Sequence, residues 1–211
     1  PISGWSQLNT DYYIEKGRQQ LYYYRYSEAI TTLNTVIQYR PYHAEAYFLR
    51  GIAKYNLQDF YGAEKDYSQA INSKANAVKA YYYRGMTRIQ LYNFQGAISD
   101  FNNTLQFVSG EPELYIQRGF CKLRLERYNE AVADFNKALR KNKELIKAYY
   151  YRALSNLKLN DTTATLKDLS SAIEVDSLFA DAFITRGRIY HQNGNYSKAL
   201  SDFNQVLRFE P

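Results

Sequence analysis

Three kinds of side chain in this sequence could carry chemistry near neutral pH: two histidines, one cysteine, and a recurring series of arginines and aspartates. His43 and His191 are separated by most of the chain, so they cannot build a metal site or share a proton relay. Cys121 is the sole cysteine, which excludes an internal disulfide. With nothing beside it to lower its pKa, it reads as a buried structural thiol rather than a nucleophile. No glycine-rich phosphate loop is present. The chain is therefore expected to be no enzyme, with no catalytic residue, metal or cofactor. The charged series is more orderly. Arg50, Arg84, Arg118, Arg152 and Arg186 recur every 34 residues, and Asp66, Asp100, Asp134, Asp168 and Asp202 keep the same period. Such a stack could grip charged groups of a ligand. The simpler chemistry is a set of bidentate ion pairs that tie helices together and fix their register. Pairing within a repeat and pairing with the next repeat both fit the spacing. Lys16 and Thr32 break both series in the same first unit, which favours pairing within a repeat.

The elements that must hold these residues share the period. Gly17, Gly51, Gly85, Gly119, Ala153 and Gly187 fall 34 residues apart, and the stretch 44–77 recurs without insertion or deletion. A fixed period of this size marks stacked supersecondary units. The repeats run 10–43, 44–77, 78–111, 112–145, 146–179 and 180–211, after a leader at 1–9. In that leader Ile2, Trp5 and Leu8 are expected to lie against the open end of the first unit. Each unit reads as two helices. Tyr47, Ile52 and Tyr55 carry helical spacing in a first half, and Phe60, Ala63, Tyr67, Ala70 and Ile71 carry it in a second. Polar turns such as Gln58-Asp59 and Gly194-Asn195 separate them. Glycine inside a helix costs about 1 kcal/mol relative to alanine, so its repetition implies close packing there. Ala29, Ala63, Ala97, Ala131 and Ala199 imply the same for the second helix. The fifth unit departs at Ala153, Thr162 and Thr165 and is expected to be looser while keeping register.

Composition agrees with an all-α array. Glycine and proline number 10 and 4, too few for a flexible linker, while tyrosine reaches 23. A tyrosine ring buries well while its hydroxyl stays hydrated, which suits thin layers and binding faces. The net charge of +6 is spread along the chain and reads as a solvated surface rather than a nucleic-acid footprint. No run approaches the roughly 18 apolar residues of a membrane span.

These residues resemble the tetratricopeptide repeat family over nearly the whole chain. The family's aromatic, small residue, alanine, aromatic and alanine appear as Tyr47, Gly51, Ala63, Tyr67 and Ala70, and again as Phe183, Gly187, Ala199 and Phe203. The residue before the glycine, usually leucine in the family, is instead lysine or arginine, and the closing proline survives only at Pro41 and Pro211. The resemblance implies a right-handed α-solenoid of about twelve antiparallel helices. It also implies that the first helices line a concave groove holding a partner protein.

Transferring the family's groove positions gives three rows. One is Ile14, Phe48, Tyr82, Ile116, Tyr150 and Ile184. The middle row is Arg18, Ile52, Met86, Phe120, Leu154 and Arg188. The third is Leu21, Tyr55, Ile89, Leu123, Leu157 and His191. The family often has polar residues in the middle row, whereas four successive units here carry large apolar ones between two arginines. Two readings follow: an apolar trough for a partner segment, or packing between adjacent first helices. The rim alternates in sign through Asp11, Glu45, Lys79, Glu113, Lys147 and Asp181, which argues against capture of a partner by its terminal carboxylate.

The chain thus reads as a non-catalytic scaffold that binds a protein or peptide in an apolar and aromatic groove. The alternative is a helical-repeat protein that binds single-stranded RNA. RNA would need polar reading residues at a repeated position and a basic track, and the groove rows offer neither. Ala199, Val206 and Phe209 lack a following helix, so the C-terminal end is expected to continue in a longer protein or to self-associate. The absence of a starting methionine, with the Arg-Gly repeats, points toward a bacterial and exported protein.

Overall fold

Every turn between paired helices is closed by the backbone itself. The first helix of each pair ends on a residue in the left-handed region, with φ between 57° and 74°, at Tyr24, Gln58, Tyr92, Glu126, Asn160 and Gly194. The following amide donates to the carbonyl five residues back, from Arg25 to Gln20 at 2.8 Å through Asn195 to Tyr190 at 2.8 Å. This capping pattern satisfies carbonyls that a helix end would otherwise leave open. Only Gly194 adopts it without steric cost.

The next residue then starts the second helix. Asp59, Asn93 and Asp161 each accept a backbone N–H three residues on, at 2.9 Å, as N-caps do. Arg25 and Arg127 cannot do this. Their guanidinium groups instead fork onto Glu28 and Glu130 three residues on.

The computed structural model describes residues 9–72 and 77–209. The sequence expectations for Ile2, Trp5, Leu8 and Pro211, and for the Phe209 side chain, lie outside what is described. Twelve α-helices and no strand occur among the described residues. Residues 1–109 form one compact unit and 110–211 another. The first holds α1 (Thr10–Tyr22), α2 (Tyr26–Tyr39), α3 (Ala44–Asn56), α4 (Phe60–Asn72), α5 (Ala77–Gln90) and α6 (Phe94–Phe107). The second holds α7 (Pro112–Arg124), α8 (Tyr128–Lys141), α9 (Ile146–Lys158), α10 (Thr162–Val175), α11 (Ala180–Gln192) and α12 (Tyr196–Phe209).

Within each unit every helix packs on the one before and the one after it. The first helices α1, α3 and α5 also touch in succession, as do α7 and α9.

Inside five of the six pairs a side chain of the second helix presses on the glycine of the first. A Cβ on Gly51 would stand 2.7 Å from the Tyr67 ring, and one on Gly119 would stand 2.7 Å from that of Phe135. Tyr67, Phe101 and Phe135 are fully buried, as are Leu33 and Leu169 at the same repeat position. In the fifth pair Ala153 shares a core with Leu169, the branched chain that replaces the ring. Thr165 is buried there too, its hydroxyl donating to the Asp161 carbonyl at 2.7 Å. The interior of that pair is therefore closed, contrary to the expectation of looseness. The looser packing lies downstream, where α10 and α11 are less closely packed on each other than α8 and α9 are.

Tyr67 is the costly member of its series. Its hydroxyl is buried and finds no hydrogen-bond partner among the described residues. Burial also pushes the phenol well above its ordinary value of 10. The unfolded chain gives up this proton first, so the linked stability is complete below about pH 10 and falls as pH rises beyond it. Tyr67→Phe is expected to stabilise the fold by about 1 kcal/mol in urea denaturation. It should also flatten the loss of stability in alkali.

Candidate functional site

The arginines and aspartates pair within each repeat. The Nε and Nη2 atoms of Arg50, Arg84, Arg118, Arg152 and Arg186 donate to both carboxylate oxygens of Asp66, Asp100, Asp134, Asp168 and Asp202, at 2.5–3.0 Å. The aspartates are 0–4 % exposed, so these are buried forks rather than surface pairs. The hydrogen bond to Asp202 holds the Arg186 guanidinium above its usual range.

Three further contacts are absent from the sequence reading. Lys54, Arg88 and Lys122, each four residues after its arginine, reach the same carboxylates at 2.8–2.9 Å. In the fifth repeat Asn156 does so at 3.2 Å. Each guanidinium also lies over the aromatic ring three residues before it, 5.3–5.6 Å from the centroid, at Tyr47, Tyr81, Tyr115, Tyr149 and Phe183. Nη1 of Arg50, Arg84, Arg152 and Arg186 donates to Asn34, Ser68, Asn136 and Ser170 on the preceding second helix. The signal for the second cation was present: Lys54, Arg88 and Lys122 keep the 34-residue period.

The three expected groove rows separate by burial. Ile14, Phe48 and Ile116 of the first row are buried and join the core, a correction to their placement on an open wall. The physical reason is packing between layers: Phe48 lies against Tyr67 and Tyr83, with ring centroids 6.0 and 5.5 Å away. Tyr82, Tyr150 and Ile184 of the same row are half-buried.

The middle row stays partly open. Ile52, Met86, Phe120 and Leu154 are half-buried, and Arg18 and Arg188 are exposed. Arg18 pairs with Glu15 and with Glu45 of the next repeat. Phe120 contacts Tyr151, centroids 5.2 Å apart, and lies under the Arg124 guanidinium.

In the third row Leu21, Tyr55, Ile89, Leu123 and Leu157 are half-buried, whereas His191 is exposed against Tyr196. Tyr55 packs edge-on to Phe60. Cys121 is buried, and burial pushes its thiol up to about 12. Among the described residues no group of His, Cys, Asp and Glu could hold a metal ion, and no helix is long and apolar enough to cross a membrane.

Tetratricopeptide-repeat profiles match residues 15–77, 112–145 and 180–211, together more than half of the chain. The chain belongs to the tetratricopeptide repeat family. No curated protein matches its sequence.

Solved structures share the repeat fold. A tetratricopeptide repeat protein from Parabacteroides merdae aligns with a TM-score of 0.80 at 19% identity, over 94% of this chain and 79% of that one. MamA from Desulfovibrio magneticus gives 0.76 at 17% identity, over 81% and 97%. YrrB, described as having an unusual peptide-binding site, gives 0.68 at 20% identity, over 85% and 92%.

The ladder's geometry sets a test. Asp134→Ala leaves the Arg118 and Lys122 charges half-buried without their carboxylate, and should lower stability by about 3–5 kcal/mol in chemical denaturation. Replacing the three together, Arg118→Leu, Lys122→Leu and Asp134→Leu, should recover most of that loss. Equal losses in the two variants would deny the carboxylate its role.

Proposed function

We propose that this tetratricopeptide repeat protein is an interaction scaffold, holding a partner peptide or protein against the apolar faces of its first helices. The observation that carries the reading is the repeat position of Ile52, Met86, Phe120 and Leu154. Large apolar side chains stand there half-open in successive repeats, with exposed Arg18 and Arg188 at either end of the series. Apolar surface left partly in water gains about 25 cal/mol per Å² when covered. Within each compact unit, an apolar position repeated on neighbouring first helices presents that gain as a strip, Ile52 with Met86 in one and Phe120 with Leu154 in the other. Helices pinned by buried ion pairs lose little freedom on binding.

YrrB's peptide-binding site supports the same use of the fold. Neighbours from Desulfovibrio magneticus and Parabacteroides merdae support a bacterial source. In this reading residues 10–211 are one repeat domain, kept in phase by the unbroken period, and the protein is not an enzyme. RNA binding is the weaker reading, because the repeated positions that would read bases are apolar.

Ile52→Ser and Leu154→Ser, one in each compact unit, test the strip separately. Peptides selected on the native chain from a random library should bind about tenfold more weakly to at least one variant, with helix content unchanged. Unaltered affinity in both would remove the apolar strip from the account.

Self-association belongs to the same proposal. Leu200 and Leu207 on α12 are 61% and 64% exposed, whereas their counterparts Leu166 and Ile173 on α10 are half-buried. A second copy covering them should make sedimentation concentration-dependent, and Leu200→Glu with Leu207→Glu should abolish that dependence. A strict monomer at every concentration rejects it.

A further inference from the structure

We infer that the C-terminal half of α8 and the turn into α9 form a docking site for an acidic segment of a partner protein, separate from the apolar strip. Residues 137–147 carry Lys137, Arg140, Lys141, Lys143 and Lys147 against a single acid, Glu144. All five cations are exposed. None of them forms an ion pair among the described residues. Elsewhere exposed Arg18 is matched with Glu15 and Glu45 and Arg25 with Glu28, while Arg40 and Arg188 stand exposed singly, so it is the clustering of five cations that sets residues 137–147 apart. Helix-end cations gain from the helix dipole, which accounts for Arg140 and Lys141 but not for Lys143 beyond the helix.

The cations also border shaped surface. Two adjoining hollows share Lys137 and Arg140. One is walled by Tyr149 with Lys143 at its edge, the other by Tyr115 with Lys141. Lys137 Nζ sits 5.7 Å from the centre of the Tyr115 ring. Carboxylates seated in these hollows would meet cations from several sides, with the tyrosine rings receiving the aliphatic part of a glutamate. α8 contributes none of the candidate groove residues, so the two surfaces are distinct.

The extent of the patch selects the partner. One period away, Lys137 and Arg140 correspond to Asn103 and Gln106 on one side and to Ser171 and Glu174 on the other. A polynucleotide needs positive charge along a track of phosphates, whereas this charge gathers at one helix end and the turn beyond it and is interrupted by an acid, Glu144. A short run of Asp or Glu fits that footprint.

Fluorescence anisotropy on the full chain tests this with a labelled oligoglutamate peptide, its oligoglutamine counterpart, and a uridine oligonucleotide of matched charge. The oligoglutamate is expected to bind saturably at low salt and the oligoglutamine not at all. Lys137→Glu with Arg140→Glu should weaken oligoglutamate binding by about tenfold or more, and so should Lys141→Glu with Lys143→Glu. Lys65→Glu with Lys79→Glu makes the same change in net charge elsewhere and should leave affinity unchanged. The inference is overturned if this distant pair weakens binding as much, since net charge alone would then explain it. It is equally overturned if the oligonucleotide binds more tightly at the same residues, or if oligoglutamate does not bind.

Discussion

A carboxylate removed from water must be neutralised where it lies, and five buried aspartates impose that condition on this fold. Each sits between two helices of one pair and accepts a guanidinium fork from the first. In three repeats a second cation joins one turn further along. Because a bidentate fork has one good geometry, the pair fixes both the separation of its helices and their register. The aromatic ring beneath the guanidinium covers its remaining face, so the charge is enclosed by groups the same helix supplies.

This arrangement also explains why the interior tolerates its close contacts. A ring resting on a glycine backbone demands that the two helices approach within a narrow range, and the ion pair enforces that range. Ala153 opposite Leu169 is the same solution with different volumes: one methyl added on the first helix, a ring exchanged for a branched chain on the second. The fold therefore keeps a constant separation while exchanging side chains across it, as close-packed interiors require.

Much of this was legible in the residues because period and chemistry coincide. The simultaneous loss of Arg and Asp in the first repeat favoured pairing within a unit, as found. Lys54, Arg88 and Lys122 escaped notice because a lysine or arginine on a helix ordinarily reads as solvated surface. The turns were only partly legible: Gly194 announces a left-handed residue, whereas Tyr24, Gln58, Tyr92 and Glu126 do not. Burial was the hardest quantity to read. Ile14 and Phe48 share their spacing with residues that stay half-open, and helical periodicity gives a direction without saying how near the neighbouring helix lies in that direction.

The Nη1 contacts of the arginines carry a mechanical consequence. An arginine grips its own partner helix through opposite charges, but reaches the preceding repeat through a neutral amide or hydroxyl, at Asn34, Ser68, Asn136 and Ser170. Inside a repeat the guanidinium makes two bonds to an opposite charge and across the seam one bond to a neutral acceptor, so of the two holds each of these arginines has, the one inside its repeat is the firmer. Pulled from its ends, either unit would give way in steps of one helical hairpin, each released whole.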